Sequence, residues 1–317
     1  MKRLSILLAL AGVGVVLLLL AWFDVGAVWA AMVSVGWGGF LLLVGWQGAL
    51  FVLLGLAWRV VLPVRAGLLV WARMVRDAAT TCLPFSPVGG YVIGARALTL
   101  QGVEWPVAAA GTVVDVTGEV VAQVLFSVFG VAVLVLVRPG SEFVGPLVAG
   151  VAVAGSLVAV GLWQRRRIGG VLRSLEMRLL GEWFRREGGV GRLQAALARL
   201  YAPRRVVAGA AVHLVGWFAT GVGTWITLRL LGAPVGVVQV LALEALLDAL
   251  VAAAFLVPGA AGVQEAGYVG LGALFGVPPD LALGVSLLRR GKDLCWGVPV
   301  LALWQWREMR RLAVPGG

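Results

Sequence analysis

The chain has 317 residues, of which 61% are hydrophobic and 13% are charged, and its mean hydropathy is +0.99. A soluble domain of this length could not bury so much apolar surface, so the composition excludes a soluble globular protein. The formal net charge of +11 would suit a nucleic-acid-binding protein. The basic residues are concentrated beside apolar runs instead, which is typical of membrane proteins, and we expect no nucleic-acid partner.

Six apolar runs are each long enough, at about 20 residues, to cross a hydrocarbon core about 30 Å thick. They cover residues 4–22, 36–57, 106–137, 143–163, 206–231 and 278–304. The first run follows Lys2 and Arg3 and lacks a small-residue cleavage site, so we interpret it as a retained helix rather than a signal peptide. The pattern predicts an all-α, polytopic integral membrane helical bundle.

Basic residues predict which ends of these runs are cytoplasmic. With Lys2 and Arg3 inside, the second run returns to a basic side. Its predicted cytoplasmic markers are Arg59, Arg65, Arg73 and Arg76. The arginines after residue 304 place the C-terminus inside as well, so we expect a multi-pass protein of the bacterial inner (cytoplasmic) membrane with both termini in the cytoplasm.

Residues 164–205 contain eleven arginines and form the most basic part of the chain. Between residues 168 and 184, apolar side chains recur at helical spacing with arginines between them, which predicts an amphipathic interfacial helix. We expect this segment to contact anionic membrane lipids, although it could also be a plain surface linker. It separates an N-terminal membrane half, residues 1–163, from a C-terminal membrane half, residues 206–317.

The charge rule leaves one segment in each half that must begin and end on the same side of the membrane. These are residues 66–104, on the cytoplasmic side, and residues 232–277, on the outer side. Each contains a central group of helix-breaking residues, which membranes tolerate only where protein or water covers the exposed backbone. We therefore predict that each segment forms either a re-entrant helix pair or a full hairpin. The predicted break residues are Pro84, Gly89, Gly90, Pro258, Gly259 and Gly262.

The two re-entrant segments also correspond in sequence when Gly102 is aligned with Gly276. In this register Asp115 lies opposite Arg289, and Glu119 lies opposite Asp293. Two copies that enter from opposite faces predict inverted repeats, with a binding site at the interface between the repeats.

Charged residues inside the membrane segments are the next functional signal. Each costs at least ~2.5 kcal/mol at the centre of a membrane helix unless it faces protein or water. The helical rise places Asp115 and Arg289 at similar depth, so we expect them to pair. Such pairs could merely hold helices together, but more charges are present than one pair requires, which favours binding of a lipid headgroup or a proton. The candidate substrate-binding residues are Arg96, Asp115, Glu119, Glu244, Asp248, Glu265, Arg289, Arg290, Lys292 and Asp293.

Three single residues have ordinary alternatives. Glu265 could cap the helix that follows its break, and Arg96 could extend to the membrane surface. His213, the only histidine, lies on an apolar helix face and is expected to serve in packing. No P-loop, nucleophile elbow or metal-spaced His/Cys set is present, so we expect no cofactor, no metal and no catalytic residue.

Three stretches together resemble a known family: LPFSPVGGYVIGARAL at 83–98, VVDVTGEVVAQVLF at 113–126 and VPGAAGVQEAG at 257–267. They are similar to the lysylphosphatidylglycerol synthase transmembrane-domain family, and within it most similar to a membrane protein associated with hopanoid biosynthesis. In the family's synthases, the membrane part is associated with flipping the modified lipid, and a separate soluble domain transfers the aminoacyl group. Because the chain ends soon after its last apolar run, we expect no such transfer activity here.

The resemblance implies a flippase-like membrane lipid transporter for a hopanoid or related amphipathic lipid, with hopanoid-biosynthesis proteins as candidate partners. Two alternatives stay open. One is an integral-membrane enzyme of hopanoid or polyisoprenoid biosynthesis, and the other is a scaffold that recruits such enzymes. Charges at the membrane midplane favour the transporter, because a scaffold does not need them and an enzyme would more naturally place them at the membrane surface.

Overall fold

The computed structural model describes residues 25–83, 87–160, 189–254 and 262–313, and every regular element in these ranges is an α-helix. This confirms the prediction of an all-α membrane bundle. In chain order the helices are α1 (Val25–Ser34), α2 (Gly36–Val61), α3 (Ala66–Cys82), α4 (Pro87–Thr99), α5 (Trp105–Val137), α6 (Val144–Val160), α7 (Gly189–Leu200), α8 (Pro203–Leu230), α9 (Val237–Ala253), α10 (Val263–Leu274) and α11 (Pro279–Ala313).

Within the described ranges, the three helices α2, α5 and α8 are long and apolar enough to cross a membrane, and α6 is a shorter apolar helix. They coincide with four of the predicted apolar runs. Helix α11 covers a fifth run and has 35 residues, but charged residues interrupt its apolar character. The first predicted run and the amphipathic segment at 168–184 lie outside the described residues.

Each predicted re-entrant segment contains two short helices. Helices α3 and α9 have 17 residues each, and α4 and α10 have 13 and 12. At about 1.5 Å per residue they are roughly 18–26 Å long, so none can cross a ~30 Å core alone. The two members of each pair pack against each other. These are the dimensions expected of broken helix pairs.

The predicted break residues have different positions in the structure. Gly262 directly precedes α10 and has a φ of 77°, a left-handed conformation that favours glycine. Gly89 and Gly90 lie inside α4, so the prediction that they break the chain is wrong. A Cβ atom on Gly90 would lie only 2.0 Å from Thr80 Oγ1, so this glycine instead permits close packing of α4 on α3. Pro84, Pro258 and Gly259 lie outside the described residues.

The succession α2 to α5 matches the succession α8 to α11 in length, with 26, 17, 13 and 33 residues against 28, 17, 12 and 35. The packing is also reciprocal, because α3 contacts α11 and α9 contacts α5. Gly102 and Gly276, aligned in the predicted register, both have positive φ in the turns before the long helices. Opposite orientation of the two halves in the membrane stays a prediction.

Small residues allow the helices of the N-terminal half to approach closely. Gly55 is buried in α2 at the contact with α3, and a Cβ atom there would lie 2.7 Å from the Cα atom of Val70. Gly45 is also in α2, but a Cβ atom there would meet nothing within 4 Å. Comparing the same substitution at Gly55 and Gly45 therefore separates the effect of helix packing from the effect of helix propensity.

We expect Gly55→Ala to lower the free energy of unfolding by about 1–3 kcal/mol, because the methyl group meets backbone that cannot move aside. Gly45→Ala should leave stability unchanged or raise it by about 0.5–1 kcal/mol, as alanine favours a helix interior. Unfolding of both variants in one detergent would measure the difference. Equal effects would show that α2 and α3 do not pack as closely as described.

Candidate functional site: a charged cavity inside the helical bundle

The first charged cluster connects α3 with α5. Arg73, Arg76 and Asp77 lie on one face of α3, and Asp115 and Glu119 lie one turn apart on α5. Arg73 donates to Asp77 at 2.8 Å and to Glu119 at 2.9 Å, while Arg76 donates to Asp115 at 3.1 Å and also to Glu119. Both arginines are buried, so they are part of this network and do not mark the membrane surface as predicted.

His213 of α8 completes this cluster. Its Nε2 atom lies 2.9 Å from Asp115 Oδ1, and the residue is 1% exposed. The expectation that His213 serves only in apolar packing is therefore wrong. Nothing in the sequence around this histidine indicates the contact, because its partner is on a distant helix.

The second charged cluster connects α9 with α11. Glu244 is fully buried and accepts hydrogen bonds from Thr224 at 2.8 Å, from the Tyr268 hydroxyl at 3.0 Å and from Arg289. Arg289 also donates to Asp248 at 3.3 Å. The second cluster therefore joins four helices: α8, α9, α10 and α11. They supply Arg289, the carboxylates that it contacts and the two hydroxyl groups that donate to Glu244.

The pairing of Asp115 with Arg289 is a wrong prediction, since Asp115 contacts Arg76 and His213, and Arg289 contacts Glu244 and Asp248. The register behind it nevertheless has a counterpart in the helices: Asp115 is the eleventh residue of α5, counted from Trp105, and Arg289 is the eleventh of α11, counted from Pro279. Likewise Arg73 and Glu244 are the eighth residues of α3 and α9, counted from Ala66 and Val237. The two halves therefore place opposite charges at equivalent positions, and in each half arginines pair with carboxylates of the same half.

A cavity of about 200 Å³ lies beside both clusters. Helices α2, α3, α5, α8 and α11 contribute to its wall. Its charged lining comprises three cations and three carboxylates: Arg73, Asp77, Glu119, Arg289, Lys292 and Asp293. Its uncharged polar lining comprises Gln47, Thr80, Thr81 and Thr220. A polar cavity of this kind is unusual among apolar helices, which makes it the candidate binding site.

Lys292 and Asp293 are the lining charges with the least protein compensation. The Lys292 Nζ atom lies 3.9 Å from Asp293 Oδ1, longer than a hydrogen bond. Within the described part of the chain, neither side chain has a closer charged partner. Both side chains are partly accessible, at 17% and 25%. A ligand in the cavity would therefore find one cation and one carboxylate free to bind it.

The other predicted site residues lie apart from this cavity. Glu265 accepts a hydrogen bond from the Gly262 backbone N–H at 2.9 Å and pairs with Arg290, contacts that suit its alternative interpretation as a helix-start carboxylate. Arg96 pairs with Glu308 at 2.8 Å and is half-exposed. Substrate binding by these residues stays a prediction.

A profile of the lysylphosphatidylglycerol synthase transmembrane region matches residues 6–300, which include both halves and all the cavity residues. The chain belongs to this family. No curated protein and no solved structure matches it. Membership in the family confirms the resemblance seen in the three sequence motifs and identifies a membrane protein of a lipid-related family.

We expect a double-mutant cycle on Glu244→Gln and Arg289→Gln to give an interaction energy of at least about 1 kcal/mol, because the two side chains contact each other in a buried site. The cycle on Asp115→Asn and Arg289→Gln should be additive within about 0.5 kcal/mol, because these residues share no partner. Unfolding of the purified variants would provide the free energies. A larger interaction for Asp115 with Arg289 would restore direct pairing between the halves.

Proposed function

We propose that this protein moves or presents an amphipathic lipid in the bacterial inner membrane by holding the polar headgroup in the charged cavity. The observation that supports this most directly is the mixed-charge lining inside a bundle whose outer surface is apolar. Leu136 and Leu157, for example, are 82% and 68% exposed, as suits contact with lipid tails. A headgroup entering the cavity would exchange water for Lys292, Asp293 and the neighbouring hydroxyl groups.

The size of the cavity supports a headgroup as its occupant. At about 30 Å³ for each water molecule, 200 Å³ corresponds to roughly seven waters. That volume suits a phosphate, a short polyol or an amine-bearing group and is too small for acyl chains or a fused ring system. The apolar part of the lipid would stay in the bilayer beside the bundle.

The broken helices offer a means of movement. Thr80 and Thr81 line the cavity close to the end of α3 at Cys82, so the C-terminal end of this helix lies next to the site. In transporters built from repeats, broken helices at the binding site reorient to expose it to one side and then the other. A change at this end of α3 would alter access to the cavity directly.

We infer that the cavity binds without covalent chemistry, and hopanoids are candidate cargo because of the resemblance noted in the sequence. Four of the six lining charges, those of Arg73, Asp77, Glu119 and Arg289, are held in place by close ion pairs, which is a suitable arrangement for recognition. The expected contacts with hopanoid-biosynthesis proteins, and of the basic segment 164–205 with anionic lipids, are parts of the same proposal.

Purified protein in liposomes should accelerate the exchange of headgroup-labelled lipid between leaflets relative to protein-free liposomes, with the lipid chemically unchanged. The lipids to compare are a hopanoid, phosphatidylglycerol and an aminoacyl-phosphatidylglycerol. A membrane-impermeant quencher would measure leaflet distribution, and mass spectrometry would establish chemical identity. Conversion of any lipid by the protein alone would support an enzyme instead. Absence of both exchange and conversion would contradict the proposal.

In the same assay, Lys292→Gln should slow exchange by about tenfold or more, because a charge-assisted hydrogen bond to the headgroup is lost. The variant should remain folded, since Lys292 has no close ion-pair partner whose charge would be left unpaired. Arg138→Gln removes one positive charge at an exposed position after α5 and serves as the matched control. Equal exchange in both variants would exclude Lys292 from the headgroup site.

A further inference from the structure

A second cavity, of about 370 Å³, lies where the C-terminal part of α11 packs near α3 and the end of α4. It shares no lining residue with the charged cavity described above. Its wall is formed by Trp71, Ala97, Leu100, Gln101, Trp304, Trp306, Arg307 and Arg310. We call it the terminal cavity.

Two guanidinium groups of the terminal cavity are positioned by aromatic rings. The Cζ atom of Arg307 lies 4.6 Å from the centre of the Trp71 ring, and that of Arg310 lies 3.9 Å from the centre of the Trp306 ring. Stacking orients a guanidinium group but leaves the N–H donors at its edge available. The two arginines are therefore held ready to bind an anion.

No carboxylate is among the described residues that line this cavity, and none of the described residues forms an ion pair with Arg307 or Arg310. The nearest acidic residue along α11, Glu308, pairs with Arg96 instead, at 2.8 Å. The positive charge of the terminal cavity is thus left without a protein counter-ion in the described part of the chain.

One residue of the cavity wall, Trp304, also carries an N–H donor that the described residues leave unused. The indole Nε1 atom of Trp304 is buried and has no hydrogen-bond acceptor among them. A buried donor without an acceptor is unfavourable unless a ligand or water supplies one. Together with the two guanidinium groups, it makes the lining rich in donors, as a bound oxyanion requires.

The position of the cavity along α11 suits the phosphate level of a bilayer. Counting from Pro279 at about 1.5 Å per residue, Arg307 lies roughly 42 Å along the helix. The hydrocarbon core is only about 30 Å thick, so this end extends beyond the core, where lipid phosphates lie. Trp304 and Trp306 are typical residues of this interface.

We propose that the terminal cavity is a phosphate-binding site in which Arg307 and Arg310 are the charged ligands and Trp304 is a neutral donor. The phosphate could belong to a phospholipid headgroup or be free inorganic phosphate, and the chemistry of recognition is the same for both. The site is separate from the charged cavity and does not depend on lipid movement.

The test compares binding of dioleoyl-phosphatidylglycerol, dioleoylglycerol and inorganic phosphate to the purified full chain in a neutral detergent, by native mass spectrometry. The double variant Arg307→Gln/Arg310→Gln should bind phosphatidylglycerol about tenfold or more weakly than the unaltered chain. Both arginines are exposed, so the fold should persist, and circular dichroism would verify it. Arg307→Lys/Arg310→Lys, which retains the charge, should recover part of the binding.

Arg229→Gln is the matched control, because Arg229 is also an exposed arginine stacked on a tryptophan, at 5.6 Å from Trp225, but lines neither cavity. It should bind phosphatidylglycerol normally. Weaker binding of dioleoylglycerol than of phosphatidylglycerol would support a lipid phosphate as the ligand. Displacement of phosphatidylglycerol by inorganic phosphate, if it requires the two arginines, would support free phosphate. Equal binding of phosphatidylglycerol and dioleoylglycerol, or no effect of removing both arginines, would overturn the proposal.

Discussion

Charge buried in an apolar bundle must be compensated within the protein, and this constraint organises the structure. Arg73 and Arg76 of α3 are stabilised by carboxylates of α5, and Glu244 of α9 is stabilised by Arg289 of α11. Removing one partner of such a pair typically costs about 3–5 kcal/mol, because the other charge stays buried without compensation. Ion pairs therefore link α3 to α5 and α9 to α11 by directional contacts, whereas apolar packing places α3 against α11 and α9 against α5.

The ion pairs within each half also determine which charges of the cavity lining are already paired. The cavity lies beside both clusters and takes its charged lining from α3, α5 and α11. Most of those charges already have partners, so the cavity has a fixed electrostatic frame. Lys292 and Asp293 are the exceptions, at 3.9 Å from each other, and they give the site the capacity to bind a group of either sign. Paired charges with two available charges beside them are the arrangement on which the proposed headgroup site rests.

Much of the helix order could be predicted from the sequence, because long apolar runs and helix-breaking residues are local signals. The register that aligns Asp115 with Arg289 also has a counterpart in the structure, as both are the eleventh residues of their helices. The partner of each charge could not be predicted, since spacing along a helix gives depth but not the direction in which the side chain points. The spacing of Arg73, Arg76 and Asp77 on one face of α3 was the available clue to the first cluster. His213 gave no such clue, because Asp115 lies on another helix far away in the chain.

The central claim is that the charged cavity receives a lipid headgroup while the lipid tail stays outside the bundle. Photo-crosslinking with two forms of one phospholipid, carrying a diazirine on the headgroup or at the end of an acyl chain, tests it most directly. After illumination in liposomes, peptide mapping should find the headgroup probe on α3 and α11 around Thr81 and Lys292, and the tail probe on outward-facing residues such as Leu136. Labelling of the cavity by the tail probe, or its complete absence with the headgroup probe, would contradict the account.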